Sequence, residues 1–269
     1  MRLTILIFVF FQLGAQAQFF RWDPQSIFVS WGYNRAFYDK SNISVKGPNL
    51  NLLFEDVIAV DDPEPFSENY YRLDRFTIPQ FDFRIGVKLP NNLILSWGWE
   101  HMKYMTKFNS KAKLSGYIGD EYFNGYYPSN ESIQDDDYRI TRRFFYTEHT
   151  DGLNYLNFEL EQYLAIPIWE EHIQLHLNYG LGTGPMMPWS DSYLFGKHYR
   201  NPSIHFAGWG VNLKTQVGVQ IGKRFQIIAP IRLGYLNLWD ILLSEDIRAK
   251  QSIRFLEYNF SFSWIFPLR

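Results

Sequence analysis

The sequence predicts an all-β chain, a single antiparallel up-and-down transmembrane β-barrel of eight strands with long external loops. Three observations carry this. Apolar and polar residues alternate with period 2 in eight stretches, as strands with one apolar face require. The links between them alternate between short turns and long loops, as in outer-membrane barrels. The strand glycines (Gly32, Gly86, Gly98, Gly180, Gly182, Gly210, Gly218, Gly222 and Gly234) fall on the polar face. A narrow barrel interior, where side chains from every strand converge, needs glycine there; a water-facing exterior does not.

Taken in order, the chain opens with Arg2, an apolar run from Leu3 to Leu13 and Ala15-Gln16-Ala17. This pattern predicts a signal peptide over residues 1–17 and a barrel domain over residues 18–269. No later stretch approaches the roughly 20 apolar residues of a membrane-spanning helix. The first strand is Ser26 to Phe37, with Ile27, Val29, Trp31 and Tyr33 on one face. A hairpin follows over Asn42–Lys46 and Asn51–Val60 around Gly47-Pro48-Asn49; were it to join the barrel, the count would be ten. The second strand, Thr77 to Leu89, sets Phe81, Phe83, Ile85 and Val87 against Asp82, Arg84, Gly86 and Lys88. Pro90-Asn91-Asn92 turns into the third, Leu93 to Met105, and Thr106 to Leu153 reads as a long irregular loop. The fourth and fifth, Asn154 to Ile168 and Ile173 to Thr183, meet at Trp169-Glu170-Glu171. Gly184 to Phe206 reads as a loop. The sixth and seventh, Ala207 to Gly222 and Phe225 to Asn237, meet at Lys223-Arg224. After a loop over Leu238 to Gln251 comes the closing strand, Ser252 to Phe266. Its Phe260, Phe262 and Trp264 are expected to face lipid, and Asn259, Ser261 and Ser263 the lumen.

A soluble ligand-binding barrel shares the strand count and the alternation. Sided glycine argues against it, and so do bulky aromatics on the apolar face. Trp31, Trp99, Tyr179, Trp209, Tyr235 and Trp264, with Tyr33, are expected to form a lipid-facing girdle. The opposite face mixes charges as a paired polar lumen would: Asp82, Arg84, Lys88, Glu100, Glu159, Glu161, His176, Lys214, Arg232 and Glu257. Near-balanced charge, 26 Lys and Arg against 28 Asp and Glu, argues against nucleic acid as a partner. Absence of cysteine excludes disulfides, thiol nucleophiles, Cys-ligated metals and lipid attachment to an N-terminal cysteine.

Four stretches carry a resemblance. They are Ser30-Trp31-Gly32-Tyr33-Asn34-Arg35, His101-Met102-Lys103-Tyr104, Glu148-His149-Thr150-Asp151-Gly152-Leu153-Asn154 and the C-terminal strand. In these the sequence resembles an uncharacterised family of outer-membrane β-barrel proteins of Bacteroidota. The resemblance spans most of the mature chain and implies the cell outer membrane, with no agreed activity.

Three groups are candidates for chemistry. Glu148-His149-Thr150-Asp151 is similar to the His-x-Ser-Asn motif of outer-membrane lipid A deacylases. Asp151 stands where the nucleophilic Ser would be, so His149, Thr150 and Asp151 are weak catalytic candidates and a loop-to-strand junction is the favoured reading. Glu161 and His176 are expected near-opposite across a hairpin, either as an acid–base pair or, favoured, as a hydrogen-bonded plug. His172 and His176 would lie about 13 Å apart on a strand, so no metal site is expected, and no cofactor. Lys103, Lys107, Lys111, Lys113, Arg139, Arg142 and Arg143 surround the second long loop, which also holds Tyr117, Tyr122, Tyr126 and Tyr127. They suit contact with lipopolysaccharide phosphates, or with a protein or glycan partner, as well as an ordinary solvated loop. The expectation is an outer-membrane barrel, porin-like outside and filled inside, with a structural or binding role through its loops. A lipid-modifying hydrolase and an accessory subunit of an outer-membrane machine are the alternatives.

Overall fold

The computed structural model describes residues 22–122, 132–169, 172–201 and 204–268. The expected signal peptide, Tyr126, Tyr127 and the Glu170-Glu171 turn lie outside the described residues. The strands are β1 (Ser26–Tyr38), β2 (Ser41–Gly47), β3 (Leu50–Val57), β4 (Ala59–Val60), β5 (Phe81–Lys88), β6 (Leu93–Thr106), β7 (Lys111–Ile118), β8 (Ser132–Arg139), β9 (Phe145–Trp169), β10 (Ile173–Met186), β11 (Ser190–Leu194), β12 (Lys197–Asn201), β13 (Gly208–Ile221), β14 (Phe225–Leu242) and β15 (Arg248–Pro267).

Eight of them close a ring in the order β1-β5-β6-β9-β10-β13-β14-β15, and β15 pairs back onto β1. A walk across hydrogen-bonded partners from Ser26 passes Lys88, Ile94, Glu161, Gly180, Lys214, Arg232 and Glu257. It returns to β1 at Ala36, ten residues beyond its start. With strands about 4.8 Å apart and a rise of about 3.3 Å per residue, that stagger tilts the strands by about 41°. The radius is then about 8 Å, an interior that side chains can fill.

The short turns β5–β6, β9–β10 and β13–β14 share the inner end with the start of β1 and the end of β15, since Ser26 pairs with Pro267. The long connections all lie at the outer end. The expected 42–60 hairpin forms β2 and β3, turning at Asn49 with φ +46°, but it pairs with the outer end of β15 rather than entering the ring.

Three expectations about loops are corrected. Thr106 to Leu153 holds β7, β8 and the first nine residues of β9, which begins at Phe145. Gly184 to Phe206 holds the β11–β12 hairpin, docked on the outer end of β9. β14 and β15 continue to Leu242 and from Arg248, across the stretch read as a loop. Gly222 belongs to a turn, with φ +61°, rather than to a strand face.

These extra strands build a sheet domain on the outer rim, β15-β2-β3-β7-β8 on one side and β6-β9-β11-β12 on the other. Its assembly inverts the polarity of β15 and β14 partway along. On β15, Ala249, Ile253 and Phe255 point inward above Glu257, Asn259, Ser261 and Ser263. Outward, Lys250, Ser252 and Arg254 give way to Leu256, Tyr258, Phe260, Phe262 and Trp264. The period stays 2; the apolar side changes between Phe255 and Leu256. β14 does the same, with Arg232 inward below Leu236 and Leu238, and Leu233 and Tyr235 outward below Asn237. The outer half therefore has a water-soluble protein's core, drawn from Ile43, Leu52, Phe54, Leu114, Phe145 and Phe255 among others. The inner half has an apolar exterior and a charged interior.

Candidate functional site

Within the inner half, the ring stagger brings side chains distant in sequence onto one level. Arg232 of β14 is wholly buried. It reaches Glu159 at 2.7 Å, Glu100 at 3.1 Å, Asp82 at 3.2 Å and Glu257 at 3.7 Å. Arg84 of β5 contacts Glu100 at 2.6 Å and Glu159 at 2.9 Å, and donates to Ser96 and Asn157. Lys214 of β13 bridges Glu159 and Glu161, each at 2.9 Å. Asn34 of β1 donates to Glu257, and Asn178 of β10 donates to Glu161. Every strand of the ring is thereby tied to one network, in which five carboxylates close around three cations. Gly98 is part of the fit, because a Cβ there would overlap the Arg84 guanidinium.

Glu161 and His176 are not opposite one another. Glu161 pairs with Gly180, and His176 with Ala165. Asn178 sits between them, donating to Glu161 at 3.2 Å and lying 3.3 Å from His176 Nδ1, so the two form no direct acid–base pair. Below the network the lumen opens at the inner end into a cavity of about 360 Å³ lined by Lys88, Tyr163, His176 and Gln216. Lys88 Nζ stands 3.8 Å over the Tyr163 ring.

Of the aromatic girdle, Tyr179, Trp209, Tyr235 and Trp264 stand exposed on the outer wall. Trp209 lies near the outer end and Trp264 near the inner end, but Tyr179 is mid-wall, opposite Thr215. Trp31 and Trp99 are half-buried, because Phe76 packs on the edge of both.

The catalytic candidates separate. His149 is 1% exposed, and its Nδ1 lies 2.9 Å from Oγ of Ser190, 5% exposed, a residue the sequence reading passed over inside a presumed loop. Asp151 points away and pairs with Arg200 at 2.7 Å. Thr150 makes no part of the pair. A nucleophile and base must meet substrate and have matched pKa values. Burial instead pushes His149 down to about 4. The arrangement suits a packed core polar pair, not hydrolysis.

A pH effect follows. In the unfolded chain His149 takes a proton near pH 6.5. The buried ring stays neutral down to about 4. Its contribution is present above pH 6.5 and is lost as pH falls to 4, by up to about 3 kcal/mol. Hydrogen exchange of the outer sheet domain should show this loss, and His149→Gln should flatten the profile over that window.

The basic group is smaller than its sequence count. Lys103 is buried in the wall. Lys113 is taken up by Asp137 at 3.0 Å and Asp135 at 3.6 Å, pairing that lifts the lysine and lowers Asp137. Lys107, Lys111, Arg139 and Arg142 remain exposed, with no carboxylate in ion-pair range among the described residues. Lys111 and Arg139 are direct cross-strand partners, an arrangement that like charges disfavour. Arg142 lies 5.4 Å over the Tyr146 ring and 5.0 Å over Tyr193, and His198 stacks on Tyr193 at 4.4 Å.

No protein family matches the chain, and neither does any curated protein. Among solved structures, it is similar to Neisserial surface protein A, with 9% identity over 88% of this chain and 96% of that one, at a TM-score of 0.33. OprG from Pseudomonas aeruginosa has 8% identity over 91% and 97%, at a TM-score of 0.41. Ail, the attachment invasion locus protein of Yersinia pestis, has 11% identity over 90% and 99%, at a TM-score of 0.30. At these scores the architecture rests on the chain's own ladders.

Proposed function

We infer that this chain is an integral outer-membrane barrel with a side-chain-filled lumen, anchoring an external sheet domain that binds anionic glycolipid. The polarity inversion carries the reading. An apolar exterior over a charged interior is stable only where hydrocarbon surrounds the wall, and the swap at Phe255 and Leu256 marks where water begins. The resemblance to Bacteroidota barrels supports the same compartment. The ion network across the lumen and the apolar core above it support a filled interior. In planar bilayers the purified protein should give no steady conductance; a large stable one would overturn the filled lumen.

The partner is read from Lys107, Lys111, Arg139 and Arg142. A like-charge pair held in register becomes favourable when phosphates share it. The group lies beyond the outer rim of the apolar wall, where lipopolysaccharide phosphates lie. Titration of detergent-solubilised protein with purified lipopolysaccharide should show binding that weakens with salt. Lys111→Gln with Arg139→Gln should weaken it roughly tenfold or more. Unchanged affinity in that double variant would remove the glycolipid from the reading and leave the barrel intact.

A further inference from the structure

β5 is short, eight residues against thirteen in β1 and fourteen in β6. Above Phe81 its place in the wall is taken by the two residues of β4, which pair with Met105 and Thr106 of β6. Between β4 and β5 the chain leaves the wall over residues 61–80. Asp61 accepts from the Ala36 backbone N–H and from Gln80, so both ends of the excursion are held together at the seam. The ends are close and the loop between them packs on itself, as in a compact Ω-loop.

The excursion does not rise into the external domain. It lies back against the outer face of the barrel. Tyr33 donates to the Tyr70 carbonyl at 2.8 Å, and their rings meet at 4.9 Å. Phe76 sits against Trp31 at 6.3 Å and Trp99 at 6.2 Å. Arg35 is bonded to Gln80 and, at 3.5 Å, to the Tyr70 hydroxyl.

The height of these anchors is fixed by register. Tyr33 pairs with Phe260 and Trp31 with Phe262. Phe260 and Phe262 are bare members of the apolar outer wall, 53% and 50% exposed. One member of each cross-strand pair is thus covered by the excursion, while the other stays half exposed among the described residues. The excursion's own outward side is aromatic: Phe66 is 78% and Tyr71 72% exposed. Four of its charges close on one another, and Glu64 accepts from Ser67 and Asn69. Arg72 pairs with Asp74 at 2.7 Å and Glu68 at 3.5 Å, and Arg75 with Glu68 at 3.2 Å.

We propose that residues 61–80 form a flap embedded in the outer-leaflet interface, with Phe66 and Tyr71 inserted at the boundary between headgroups and acyl chains. This rests on the membrane reading above and goes beyond it by assigning a second, non-barrel element to the lipid. The occupant of the outward face is lipid because the flap covers the apolar wall from Trp31 up to Arg35, whose cross-strand partner Tyr258 lies two residues below the outer rim of that wall at Leu256. A mutually neutralised Arg–Asp–Glu group with aromatics is the composition that level accepts.

The chain has no cysteine, so single probes can be placed without a background. Phe66→Cys, Tyr71→Cys, Phe260→Cys and Lys197→Cys would each carry an environment-sensitive fluorophore. Each is reconstituted in phosphatidylcholine vesicles containing lipids with nitroxides at shallow or deep positions, and folding is checked by heat-modifiable gel mobility. Probes at 66 and 71 should be quenched more by shallow than by deep nitroxides and shielded from aqueous iodide. The probe at 197 should be quenched by iodide alone. If 66 and 71 behave like 197 while 260 is quenched by lipid, the flap lies in water and the proposal is overturned. If 260 is also untouched by lipid nitroxides in folded protein, the membrane reading itself fails, and the flap with it.

Discussion

Arg232→Met is expected to destabilise the barrel by about 3–5 kcal/mol, the cost of removing one partner from a buried charge cluster. The side chain is wholly buried and lies among Glu159, Glu100, Asp82 and Glu257. Methionine fills much of its volume but leaves four carboxylates facing each other, with only Arg84 and Lys214 to answer them. Charges buried this deeply are costly unless they are paired. The folded, heat-resistant gel band should be lost at lower urea than in the parent protein. Lys214→Met should cost less, because Lys214 touches two carboxylates rather than four. Adding Glu257→Gln and Asp82→Asn to Arg232→Met should recover part of the loss, as expected for residues in one network. Arg139→Met, on the external face, should stay within about 0.5 kcal/mol. An unchanged urea midpoint in Arg232→Met would show that the network is not what holds the strands together.

The eight ring strands were legible because their inner halves keep one polarity throughout. The outer halves were not, for a physical reason. Beyond Phe255 the same strand leaves hydrocarbon and covers a soluble core, so its apolar residues move to the other side. A pattern that follows the apolar face loses phase near that switch, so the sequence reads as a loop over 238–251. β7, β8, β11 and β12 were missed for a related reason. They are short and half-solvated, and Asp135, at φ +51°, lies where the β7–β8 register shifts. β5 begins at Phe81, four residues after the expected start at Thr77, because Thr77 to Gln80 brings the chain to the wall before pairing begins.

Facing of the charged residues was readable from period 2, but their partners were not. Arg232 finds Glu159 and Asp82, 73 and 150 residues away, through the ten-residue stagger of the whole ring. No single strand encodes that stagger. The same ladder geometry separates Glu161 from His176 and brings Ser190 to His149. Exposure of the basic residues also depends on tertiary structure: it removes Lys103 and Lys113 from the group and leaves Lys111 beside Arg139.

Phe260→Arg is expected to cost about 2–4 kcal/mol in lipid vesicles, the penalty for arginine near the midplane of a membrane barrel. The neighbouring substitution Ser261→Arg, which sequence alone left open through a pairing with Glu257, is now expected to fail as well. Ser261 is buried, and a Cβ on Gly32 would already overlap its hydroxyl, so no arginine fits. The two failures have different origins, and a scan separates them. Arginine placed in turn at Leu256, Tyr258, Phe260, Phe262 and Trp264 samples only the outward face, where space is open. Arg254, two residues above Leu256, is already an arginine exposed on that face. In vesicles the penalty should rise from about 0–1 kcal/mol at Leu256 to its maximum near Phe260, then fall again toward Trp264. Crowding would not produce such a depth profile, and neither would docking on a protein partner, whose contacts follow no bilayer midplane. A flat profile of small penalties along all five positions would mean that hydrocarbon does not surround this wall, and the charged lumen would then need a different explanation for its stability.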